Sequence, residues 1–154
     1  MTSIQAPRDQ QTAADESGIA AYANACLIES TDVTRERQLV MLENATERRS
    51  IVIPIGNAES GDCQWRNQSV ILHSDGSYAD HCDIHDTATF KGDRFPVTRK
   101  VKAGNNTVAR WNWGDGPYCG AGETRHGIYH SGSDRGIEQF FDQITSIESV
   151  YVCD

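Results

Sequence analysis

The sequence predicts a mainly β protein: a Greek-key sandwich over residues 50–154, preceded by one or two short helices. Three observations carry this. Short β-branched and aromatic runs recur after residue 50. Clusters of Gly, Asn, Asp and Ser separate them. Two segments read as hairpins, a pattern that favours a sandwich or barrel.

Length and charge bound the answer before any motif does. A chain of 154 residues suits one domain with its own core. No apolar run approaches the roughly 18 residues of a membrane span. The net charge of -8 argues against nucleic acid as a partner, because neutralising phosphates requires an excess of Lys and Arg.

Residues 1–17 are polar and are expected to be disordered or extended. They show no basic region leading into an apolar stretch, so no classical signal peptide is visible. Residues 18–49 form a lead-in. Within it, 18–29 reads as a short helix or an added strand. Residues 32–49 read as helical, with Asp32 as N-cap and Leu39, Met41 and Leu42 as apolar contacts.

From residue 50 the character changes. "SIVIPI" is strand-like, with Pro54 suggesting an edge or bend. "QSVILHSDGSYADHCDI" reads as a hairpin turning at Asp75-Gly76. "KGDRFPVTRKVKAGNNTVARWNW" repeats the form, turning at Gly104-Asn105-Asn106. Four of the five cysteines, Cys63, Cys82, Cys119 and Cys153, fall in the β-rich part and none forms a CxxC pair. Two disulfides among them would suit an extracellular or exported protein. Spacing leaves the pairing open, and buried thiols are the alternative.

Several clusters carry potential chemistry. In "DHCDIHD", the alternation of a strand puts His81, Asp83 and His85 on one face. Two imidazoles and a carboxylate can ligate zinc, or can line a solvated face. His126 and His130 flank a glycine-containing loop near Glu123 and Arg125, where an acid/base pair is conceivable. Trp111, Trp113 and Tyr118 lie within eight residues and either present a binding surface or fill the core.

A longer pattern runs from "VARWNWGDGPYCG" to "IEQFFDQITSIESVYV". Tyr118 and Gly120 form an aromatic-x-Gly corner. Asp142, Thr145 and Ser146 form a polar step, and Ile147 and Val150 a closing strand. In these features residues 108–152 resemble one motif of the βγ-crystallin family. The resemblance implies a Greek-key sandwich and calcium at the step. Phe141 stands where the calcium-binding form of that family usually has Asp or Asn. Asp86 and Thr89 repeat the spacing of Asp142 and Thr145 and are the corresponding candidates in a second half. Calcium needs six to eight oxygen ligands, which an Asp, a Thr and loop carbonyls can begin to supply. Side-chain capping of a turn is the alternative reading of the same residues.

These readings lead to a non-enzymatic binding or structural module, exported, calcium-stabilised and acting on another protein as an inhibitor or effector would, with self-association as a further option. The competing expectation is a small metal-dependent or acid/base hydrolase using His81, Asp83 and His85, or His126 and His130.

Overall fold

A computed structural model of the chain describes residues 26–35, 38–43 and 46–154. Within them lie eleven strands: β1 (Cys26–Asp32), β2 (Gln38–Glu43), β3 (Thr46–Ser60), β4 (Cys63–His73), β5 (Ser77–Asp86), β6 (Asp93–Arg94), β7 (Val97–Ala103), β8 (Asn106–Asn112), β9 (Tyr118–Cys119), β10 (Thr124–Ser133) and β11 (Ser146–Val152). One short helix, α1 (Arg135–Gln139), and a 3-10 turn (Phe141–Gln143) precede β11. The all-β expectation holds. Residues 1–25, which include the expected N-terminal disorder, lie outside the described residues.

Two antiparallel sheets form a sandwich-like core. One has the order β1-β11-β7-β8 and the other β10-β5-β4-β3-β2, with a small β6-β9 ribbon beside them. The expected hairpins are β4–β5 and β7–β8. In the first, Gly76 takes φ +96°, a backbone angle that favours glycine, and the Asp75 carboxylate accepts from the Ser77 N–H. At Gly136 in α1, a side chain would run into the Val108 carbonyl of β8, so helix and sheet meet backbone to backbone.

Where residues 18–29 are described they are strand, the second of the two options expected for them, and in place of the helix expected over 32–49 lie β2 and the start of β3. β1 pairs with β11 over seven residues, and β2 pairs with β3 over six. Local helix propensity is a weak preference, and pairing with a ready sheet edge overrides it here. The sheets therefore recruit strands from well before residue 50.

Strand alternation explains most of the core. β5 turns Tyr78, Asp80, Cys82, Ile84 and Asp86 inward. β4 turns Cys63 and Trp65 inward, then Gln68, Val70 and Leu72. The change of parity coincides with Asn67, at φ +53°, in the bulge between Arg66 and Ser69. The inward residues form two apolar clusters. One holds Ile51, Val70, Leu72, Tyr78, Val101, Trp111 and Ile147. The other is built on Trp65, with Phe95 and Tyr151 packed on its ring at 5.3 and 4.9 Å between centroids.

Between the clusters lies a polar layer, one residue from each central strand: Gln68 of β4, Asp80 of β5, Arg99 of β7 and Ser149 of β11. All are buried. The Arg99 guanidinium spends all five of its N–H donors here. Two reach the Asp80 carboxylate, at 2.9 and 3.0 Å. The others reach Gln68 Oε1, Ser149 Oγ and Tyr151 OH. Asp80 also accepts from the indoles of Trp111 and Trp113, at 2.9 and 3.1 Å. The sandwich is thus clamped across its middle by a fully paired ionic bond.

One disulfide, Cys63–Cys153, ties β4 to the residue after β11. Cys26, Cys82 and Cys119 are free thiols, which corrects the expectation of two bridges. Cys82 faces the Trp65 cluster as a small apolar group, and burial pushes its thiol up to about 12. The Cys119 thiol, also raised by burial, donates to the Glu123 carbonyl.

Candidate functional site

The two sheets end on one flank at β1 and β2, where β1 meets β3. Among the described residues β2 pairs on one side only, with β3, in a register free of bulges from Gln38↔Ile51 to Glu43↔Thr46. Its other row of N–H and C=O groups has no strand against it among the described residues. Leu39, Val40 and Leu42 are 54%, 56% and 75% exposed. Leu39 points to one face of the sheet, Val40 and Leu42 to the other. Ile28 on the β1 edge is a further exposed apolar side chain. Protein edge strands usually carry Lys, Pro or a bulge that discourages a further strand. "QLVMLE" has none of these.

The remaining sequence candidates are spread over the molecule. His81, Asp83 and His85 do share the outer face of β5, as alternation predicts. They do not converge. His81 stands edge-on to Tyr129, 4.6 Å between centroids. His85 Nδ1 meets Thr124 Oγ1 at 2.7 Å. Asp83 accepts from the Gly127 N–H and the Asn67 amide and lies 3.4 Å from His126 Nδ1. The Gly127 N–H, then Asn67, hold its carboxyl below the ordinary range. His130 is on a different part of β10, with Nε2 3.2 Å from the Tyr78 hydroxyl. Thus His126 and His130 are not a facing acid/base pair: one serves Asp83 and the other Tyr78.

The aromatic trio divides. Trp111 is buried, stacked on Tyr78 at 3.9 Å, and Trp113 is half-buried. Both indoles are held by Asp80. Of the expected binding surface only Tyr118 is open, and the Arg94 guanidinium covers one face of its ring.

At the polar step, Phe141 is a core residue, with the Arg35 and Arg49 guanidinium groups 5.6 and 4.9 Å from its ring. Asp142 pairs with Arg49 at 2.7 Å, which lowers its pKa. Thr145 Oγ1 accepts from the Gly104 N–H and donates to the Lys102 carbonyl. Ser146 begins β11 opposite Lys102. Asp142 and Thr145 therefore knit the turn to β3 and to the β7–β8 hairpin. Asp86 and Thr89 lie at the other end of β4, where Asp86 pairs with Cys63. Asp86 is wholly buried, with Oδ1 accepting from the Ala88 N–H; Thr89 is exposed.

Asp86 has a neighbour that the sequence reading did not single out. Asp93 of β6 lies within its hydrogen-bonding reach. The Oδ2 atoms of both carboxyls are buried without a hydrogen-bond donor. Burial first, and then the Asp86 carboxyl, push Asp93 up to about 6. A raised acid lends stability below its unfolded value, near 4, and loses it as pH climbs through about 6. Asp93→Asn presents an N–H to Asp86 at every pH. Its thermal midpoint should exceed that of the parent at about pH 8 and match it at about pH 4.5. Solvent around the half-buried Asp93 holds the gain to about 1 kcal/mol.

No family model, curated protein or solved structure matches the chain.

Sequence reading does not single out Arg99, Asp93 or the β2 edge, nor the buried role of Asp80 within "DHCDIHD". Arg99 had a signal: alternation puts it on the same strand face as Val97 and Val101. Asp80 likewise shares parity with Cys82 and Ile84. A charged residue on the apolar parity of a strand points to a buried partner.

Proposed function

We propose that the chain is a non-enzymatic binding module that takes an extended segment of another protein along β2. The observation that carries this is the open, unguarded β2 edge with Leu39, Val40 and Leu42 exposed on both faces. Adding a strand satisfies the free backbone row, and side chains alternating above and below supply the specificity. A partner segment of consecutive apolar residues fits this edge, since Leu39 and Val40 present apolar surface to opposite faces. The Cys63–Cys153 bond accords with an exported protein. The separate engagements of His81, Asp83, His85, His126 and His130 favour binding over hydrolysis.

The test is a selection of random linear peptides on the immobilised chain, followed by binding to Val40→Lys and Leu42→Lys variants. Lysine on an edge blocks strand addition, and at such exposed positions it should alter stability by less than about 0.5 kcal/mol. Selected peptides should bind the parent and lose at least tenfold in affinity to the double variant. Peptides that bind both proteins equally would refute the reading. Self-association of the parent, abolished in the double variant, would reassign the edge to a second copy of the chain.

A further inference from the structure

Cys63, Asp93 and Cys153 form the one group of three ligand-type residues, among the described residues, whose donor atoms all lie within 4.8 Å of one another. Cys63 opens β4 and is wholly buried, Cys153 follows β11 half-buried, and Asp93 lies on β6. The second, independent observation is Asp86. It is wholly buried, its Oδ1 is taken by the Ala88 N–H, and its Oδ2 has no donor. The Asp93 Oδ2 atom is likewise buried without a donor. An acceptor facing an acceptor away from water is costly unless something positive lies between them.

We infer that the Cys63–Cys153 disulfide masks a zinc site, which Cys63, Cys153 and Asp93 form, beside Asp86, once a dithiol reductant opens the bond. A thiolate of the reductant attacks Cys153 Sγ, the less buried sulfur. The S–S bond breaks and its electron pair goes to Cys63 Sγ. The second thiol of the reductant then displaces Cys153, leaving two protein thiols and a cyclic disulfide. Zn²⁺ takes both sulfurs as thiolates, and two protons leave.

The geometry permits this with small movement. In a tetrahedral site with Zn–S near 2.3 Å, two sulfurs stand about 3.8 Å apart. The Cα atoms of Cys63 and Cys153 are 5.6 Å apart, so side-chain rotation alone brings the two freed sulfurs to that spacing. Thiolates select a soft or borderline ion such as Zn²⁺ over Ca²⁺ or Mg²⁺, and the Asp93 carboxylate supplies a third ligand. The Asp86 carboxylate, within hydrogen-bonding reach of Asp93, orients that ligand or a bound water in the fourth position.

The experiment titrates Co²⁺ and then Zn²⁺ into reduced protein freed of the reductant, following the absorption bands of thiolate-bound tetrahedral cobalt. One Co²⁺ per chain should give these bands, and Zn²⁺ should bleach them. The oxidised protein should give none. Cys153→Ser should abolish them, Asp93→Asn should weaken binding at least tenfold, and Cys82→Ala should leave it unchanged. A thermal melt of the reduced chain with and without Zn²⁺ covers the case in which reduction alone loosens the fold; zinc must raise the midpoint or restore the folded signal. Absent bands, bands that survive Cys153→Ser, or a reduced chain whose melt is indifferent to zinc would each overturn the inference.

Discussion

Asp80→Asn should destabilise the protein by about 3–5 kcal/mol, nearly as much as Asp80→Ala, although it keeps the shape of the side chain. The reason is the donor count. Every group that the Asp80 side chain meets is a donor: two N–H groups of Arg99 and the indoles of Trp111 and Trp113. An amide must turn its own N–H₂ toward some of them, which sets donor against donor in a site closed to water. It also leaves the buried guanidinium without its counter-charge. The measurement is denaturant unfolding of both variants. A loss below about 1 kcal/mol for Asp80→Asn would mean that the layer is not closed as described.

The second large effect belongs to the disulfide. Cys63 and Cys153 are 90 residues apart, so their bond closes most of the described chain into a loop. The chain-entropy relation assigns such a loop about 4–5 kcal/mol, through restriction of the unfolded ensemble. Reduction in metal-free buffer, or Cys153→Ser, should lower stability by this order, read from chemical unfolding with and without a reductant. Replacement of Cys82 or Cys119 should leave the difference between oxidised and reduced protein intact, because neither takes part in the bond.

Elements whose cause is local could be read from the sequence. The Asp75-Gly76 and Gly104-Asn105-Asn106 turns need only their own residues, and both hairpins are where those residues put them. The parity of His81, Asp83 and His85 was likewise local. Convergence of side chains was not local. Whether His85 meets Asp83 or Thr124 depends on which strand lies beside β5, and that strand, β10, begins at Thr124, 38 residues after β5 ends at Asp86.

The same holds at the N-terminal side. "QLVMLE" has the helix formers Leu, Met and Gln, and becomes a strand only because β3 extends far enough to pair with it. The polar step offers oxygens from Asp142 and Thr145, and the sequence alone leaves calcium ligation and turn capping both open. Its actual partners, Arg49, Gly104 and Lys102, are distant in sequence. Phe141 at the head of the step reflects a core position clasped by two arginines.

Among the described residues β2 is an open edge, which we propose takes a further strand. Amide hydrogen exchange resolved along Gln38–Glu43 tests it most directly, in the free chain and with a selected peptide bound. The amides of β2 facing away from β3 should exchange quickly in the free chain and slow at least tenfold in the complex, while β10 at the opposite edge is unchanged. Slow exchange of those amides in the dilute free chain, or protection that appears at β10 instead, would contradict it.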